Sequence, residues 1–252
     1  MTTGTDGRPS LVRLTGVELR KAVDTRAGCW MLVTVAALTV AVVGGQLALG
    51  DPASRTLGWL VANAQLPISV LLPVVGLLSV TGEWSRRTAS STFTLVPARL
   101  RVVAAKVGAA SFLSVAVTAF GLAAGSAGYL AGEALHRTAG GWDLSAAVGG
   151  QLCLINWVTM MCGTAFGLLL LHSAPAITAY YVLPIAWSIA GRLLPGLDAA
   201  APWLDIGRAR VPLVEPGVTG GEWARLVTAS LLWVAVPALL GVLRVRGTEI
   251  AT

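Results

Sequence analysis

The sequence predicts an all-α, polytopic membrane protein with six transmembrane helices, an N-terminal amphipathic interface helix and both termini in the cytoplasm. Three observations carry that prediction. Only 12% of the 252 residues are charged, roughly half the share usual in soluble domains, and 55% are hydrophobic. The mean hydropathy is +0.75. All thirty charged residues fall outside six uncharged stretches, 29–50, 57–80, 107–131, 148–171, 173–191 and 226–243. Each stretch has 18 to 25 residues, and a bilayer core of about 30 Å takes about 20 helical residues. The same composition argues against disorder, which needs low hydrophobicity and high charge. It also argues against a soluble enzyme, which lacks enough polar cover here. Strands of an outer-membrane barrel would alternate polar and apolar residues, and these stretches do not.

Taken in order, residues 1–8 are polar and read as a disordered tail, and 9–252 as one membrane domain. On a helical wheel, 9–28 places Leu11, Val12, Leu19, Ala22 and Val23 on one side. Arg13, Arg20, Lys21 and Asp24 fall on the other. That pattern is an amphipathic helix of the kind that lies in a membrane surface. The first apolar stretch begins at Cys29 and runs over 20 residues, too long for a signal-peptide core, so it reads as a retained span. Pro184 interrupts the fifth stretch, which a spanning helix tolerates where neighbours re-satisfy the backbone.

Six spans place twelve Lys and Arg on the side of the termini and six on the other. By the positive-inside rule both termini are cytoplasmic. The basic balance, +6 overall, is thus a topology signal rather than a nucleic-acid footprint. Cys29, Cys153 and Cys162 lie within or at the edge of spans and form no CxxC. They read as packing residues.

The segment 82–106 between spans two and three carries one acid and five bases, with Trp84, Phe93, Leu95 and Val96 interleaved. Pro97 should break a helix there, and 98–106 can restart as an amphipathic lead into span three. A purely topogenic loop needs no such apolar residues.

Within it Glu83, Thr88, Thr92, Phe93, Pro97, Arg99, Ala105 and Lys106 follow one another. That order resembles membrane subunits of ABC-2-type transporters, which often show Glu, Gly-Thr, Thr-Leu, Pro, Arg and Ala-Lys at the head of the third span. Arg87 stands where that family usually has Gly, and Phe93 where Leu is common. Glu18-Leu19-Arg20-Lys21 looks like the family's lead into the first span. With the six-span plan, the resemblance covers nearly the whole chain.

The resemblance implies a permease subunit of an ATP-binding-cassette exporter in a bacterial plasma membrane. It implies a separate ATPase partner that carries ATP and Mg, and a second permease chain, identical or related. Contact with the ATPase would fall on Glu83, Arg86, Arg87, Thr88, Pro97 and Arg99, beside the interface helix with Glu18, Arg20 and Lys21. The residues permit this. A P-loop needs Gly-x-x-x-x-Gly-Lys-Ser/Thr to cradle phosphates. The only lysines, Lys21 and Lys106, precede Ala22 and Val107. No cofactor is therefore expected on this chain.

The spans offer little other chemistry. Asn63, Gln65, Gln151 and Asn156 are polar residues within them. Steps of two and five residues align neither pair on one stripe, so interhelical hydrogen bonding is favoured over a substrate path. Gly121 with Gly125, and Gly163 with Gly167, have the small-residue spacing that permits close helix crossing. His136 and His172 fall on opposite sides of the membrane, so no metal site is expected, and no protease or hydrolase motif is present. The connector 192–225 reads equally as an interfacial loop anchored by Trp203 and Trp223, or as short re-entrant helices. The competing reading of the whole chain is a non-transport scaffold or sensor subunit. An uncharged interior suits hydrophobic or amphipathic substrates without choosing among them.

Overall fold

The computed structural model describes residues 10–51, 55–85, 99–142, 144–194, 196–197 and 199–247. Among them all regular structure is helical. Six helices are long and apolar enough to cross a membrane, Arg26–Leu49, Leu57–Gly82, Leu100–Ala134, Ala146–Leu170, Ser173–Leu193 and Gly220–Val245. The tail 1–8 and residues 86–98 of the segment 82–106 lie outside the described residues.

Helix α1 (Leu11–Asp24) opens at Ser10, whose side chain accepts from the Arg13 amide. It ends at Thr25, which is extended (φ −72°, ψ 139°) and caps the next helix by accepting from the Gly28 amide at 3.2 Å. Gly28 is needed at this corner, because a Cβ there would sit 1.8 Å from the Ala22 carbonyl oxygen. Helix α2 (Arg26–Leu49) then leads to α3 (Leu57–Ser85), α4 (Arg99–Ala134), α5 (Ala146–Leu170) and α6 (Ser173–Leu193). The connector folds as α7 (Ala201–Leu204), α8 (Ile206–Arg210) and a 3-10 turn (Val211–Val214). Helix α9 (Gly220–Ser230), a π segment (Leu231–Ala235) and α10 (Val236–Gly247) together make the sixth long apolar helix.

Helix α5 is the axis of the bundle, packed on α3, α4, α6 and α10. Its tightest seam is with α3. A Cβ on Gly163 would lie 2.0 Å from the Pro73 carbonyl oxygen, so only glycine lets the two backbones meet there. Gly167 faces Leu77 and, from α3, Gly76 faces Met160. Gly121 and Gly125 of α4 face Gln65, Ile68 and Val61 on α3. Both small-residue pairs are thus spent inside the chain, with α3 clasped between α4 and α5.

A proline leaves the carbonyl four residues before it without its helical donor, and at one such position the fold supplies another donor. Pro237 has no N–H for the Trp233 carbonyl, and the helix widens into the π segment just before it. The Cys162 thiol donates to that carbonyl at 3.1 Å. The Tyr181 hydroxyl donates to the Val70 carbonyl, three residues before Pro73.

Leu171 and His172 make the whole connection between α5 and α6. Leu171 is left-handed (φ 57°, ψ 4°), a strained state for a leucine. Its side chain is buried with Val80, Leu168 and Val245, and that burial offsets the strain.

The seam sets a prediction. Gly163→Ala should lower stability by about 1–3 kcal/mol, as overpacking does. Gly149→Ala on the same helix, where a Cβ meets open space, should be neutral or stabilising. Thermal unfolding of both variants in detergent checks the contrast.

Candidate functional site

Three polar features stand out in this apolar bundle, one at each end and one between. At the first end α1 docks on α4. Glu18 and Lys106 are both buried, at 8% and 6% exposure, although 88 residues apart. Glu18 Oε2 meets Lys106 Nζ at 2.6 Å, and Glu18 Oε1 meets Lys21 Nζ at 2.7 Å. Lys106 Nζ also donates to the Ser79 carbonyl oxygen of α3 at 3.0 Å. One ammonium thus joins α1, α3 and α4. The wheel explains why: Leu19 and Ala22 pack against the core beside Glu18, while Val12 stays exposed at 83% and Val23 at 42%. The apolar side of α1 is split between the bundle and the outside. Arg20 points outward. Burial pushes the Glu18 carboxyl up. The Lys106 charge and hydrogen bonds from Lys106 and Lys21 outweigh it, and the carboxyl titrates below its ordinary 4.5.

Between the ends, α3, α4 and α5 share a buried knot. Asn156 Nδ2 donates to Gln65 Oε1 at 2.9 Å and to Thr118 Oγ1 at 3.0 Å. Gln65 Nε2 donates to the Thr118 carbonyl oxygen at 3.3 Å, and Thr118 Oγ1 to that of Ser114 at 2.7 Å. Asn63 instead donates to the Trp59 carbonyl of its own helix at 2.8 Å. Gln151, with its amide nitrogen turned to the connector, donates to the Leu213 and Glu215 carbonyls at 3.1 and 3.2 Å.

The connector end holds a cavity of about 580 Å³ between α3, α5, α6 and the connector. Ile206, Ala209 and Leu213 are buried in the main core and seat the connector in the bundle. Trp233 Nε1 donates to the Leu204 carbonyl at 2.7 Å. Arg210 donates from Nη1 to Thr159 Oγ1 at 2.7 Å and from Nε to the Ile206 carbonyl at 3.0 Å. Thr159 lies about 20 Å along α5 from its first residue, roughly mid-helix. Asp205 is buried, caps α8 through Oδ1 on the Arg208 amide at 3.0 Å, and has Oδ2 3.4 Å from Arg208 Nε. That last contact is an ion pair without hydrogen-bond geometry.

The sequence-selected residues therefore divide. Glu18, Lys21 and Lys106 converge, and so do Gln65 and Asn156. None of the four amide residues lines the large cavity. Glu83 lies in the last turn of α3 and Arg99 begins α4, while Arg86, Arg87, Thr88 and Pro97 lie outside the described residues. Counting charges by span missed Arg210, because it belongs to a connector rather than a span. The signal available was Ile206, Ala209 and Leu213 at helical spacing around it.

Removing one partner of a buried ion pair costs about 3–5 kcal/mol, whereas replacing both by apolar groups is often neutral. Lys106→Met should therefore loosen α1, and Glu18→Met with Lys106→Met should restore most of the loss. Limited proteolysis at the α1–α2 corner reads this. The lowered Glu18 pKa gives a sign for acid. Its stabilisation is full above pH 4.5 and is lost as pH falls through the lower folded value. The double variant should lack that acid-dependent step.

A comparison of the chain with protein-family models and with curated proteins returns no match.

Proposed function

We propose that this chain is the membrane-spanning permease subunit of an ATP-binding-cassette exporter of ABC-2 type, moving a hydrophobic or amphipathic substrate. The observation that carries the reading is the buried Glu18–Lys106 pair. The resemblance rests on two separate pieces of sequence, Glu18-Leu19-Arg20-Lys21 and the run from Glu83 to Lys106. Glu18 of the first meets Lys106 of the second at 2.6 Å. An exporter of this plan needs that junction, because a push on the cytoplasmic elements must reach the spans.

In this reading both termini are cytoplasmic in a bacterial plasma membrane, and α1 lies along the inner membrane surface. Val12 and Val23 face lipid, and Arg20 faces headgroups or the partner. A separate ATPase, holding ATP and Mg, docks on Glu83, Arg86, Arg87, Thr88, Pro97 and Arg99. A second permease chain, identical or related, completes the pore. Dimerisation of the ATPases pushes the 82–106 segment and α1 together. Lys106 passes the displacement to α3 and α4, and access switches by rigid-body or hinge motion.

The test is affinity purification of the full chain from its native membrane in mild detergent. A stoichiometric P-loop ATPase should accompany it, and charge reversal at Glu83, Arg86 and Arg87 should release it. In reconstituted vesicles, reversal of Arg86 and Arg87 alone should leave ATP hydrolysis running without transport. A stable chain that retains no ATPase under crosslinking would favour the scaffold or sensor instead.

A further inference from the structure

We propose that the connector-end cavity binds an anionic amphiphile, its phosphate or carboxylate headgroup held by Arg210 and Arg192 and its acyl chain lying along α6. The size suits such a ligand, since pockets for small molecules run about 300–1,000 Å³ and this one is about 580 Å³.

Charge comes first. Three arginines, Arg192, Arg208 and Arg210, line the cavity against one carboxylate, Asp205. Asp205 is engaged by Arg208. No carboxylate pairs with Arg192 or Arg210 among the described residues. Arg210 commits two N–H groups, to a hydroxyl and a carbonyl, out of the five a guanidinium has. A guanidinium among spanning helices is costly without a counter-charge, and such a residue marks a functional site by default. A headgroup anion supplies that counter-charge, and guanidinium recognises phosphate or carboxylate through paired N–H donors.

The walls decide between a lipid and a soluble anion. Val70, Ile155, Val158, Ile185 and Val214 line the cavity beside the arginines. Helix α6 continues that apolar wall outward, with Val182, Leu183, Ile185 and Ile189 about half exposed. A chain leaving the headgroup site meets apolar surface rather than water. Ser188 and Thr159 add hydroxyls at the cavity wall. The proposal does not require an ATPase: a scaffold with this cavity would bind the same ligand.

The test is native mass spectrometry of the purified full chain in detergent. Phosphatidylglycerol and phosphatidylcholine with the same acyl chains are the probes, and inorganic phosphate is the competitor. Phosphatidylglycerol should be retained about tenfold better than phosphatidylcholine, the scale of one charge-assisted contact. Arg210→Gln should abolish the preference. Because Arg210 also braces Thr159, two further variants decide if that one misfolds. Arg192→Gln removes an exposed cation, and Ser188→Trp fills the cavity; both should abolish the preference. Arg225→Gln, at a side chain stacked over Trp203 and not lining the cavity, should keep it. Equal retention of the two lipids would overturn the proposal. So would a preference that survives Arg192→Gln and Ser188→Trp, or displacement of the lipid by inorganic phosphate.

Discussion

In a bilayer an apolar side chain gains little by turning inward, because acyl chains are as apolar as leucine. Helices there are held by close backbone approach and by hydrogen bonds that lipid cannot supply. The seam of α3 and α5 meets both demands. Gly163 and Gly167 bring α5 against the backbone of Pro73 and Leu77. The knot of Gln65, Thr118 and Asn156 then fixes how far each helix is slid along its neighbour. Helix α10 joins on the free side of α5, where Gly241 approaches Leu168. Every other element is attached to this frame.

The two ends are fastened by different physics. Where α1 docks, the fastening is ionic and local: one lysine gathers a carboxylate from α1 and a carbonyl from α3. At the connector it is distributed: Gln151 on the Leu213 and Glu215 carbonyls, Trp233 on Leu204, Arg210 on Thr159, and the packing of Ile206 and Leu213. One end is thus fastened by a single buried ion pair, and the other by many contacts. The surplus of guanidinium at the connector end sits in a cavity whose walls are otherwise apolar.

Helix number and the position of the spans were legible because charge is expensive in a bilayer and its absence marks chain that crosses. Helix ends were less so: α3 continues to Ser85 and α4 starts at Arg99, since a helix does not stop where its side chains become polar. Glu18 stood out only as part of the family-like lead into the first span, because a wheel cannot show a lysine 88 residues away. Gln65 and Asn156 were tested for alignment within one helix, yet they meet across two. The role of Cys162 depends on a carbonyl freed by Pro237, 75 residues on. Each case is a contact between distant segments, and no local pattern encodes it.

The turn at Leu171 and His172 leaves no slack between α5 and α6. The two helices are the arms of a caliper with its rivet at the α1 end. The arm made by the 21 residues of α6 is about 31 Å long. A swing of about 5° at the rivet therefore parts the far tips by about 3 Å. The far tip carries Arg192, and the cavity lies between the jaws. The contacts of α6 with α3 and the connector, Tyr181 on the Val70 carbonyl among them, are therefore what hold the aperture at the arginines.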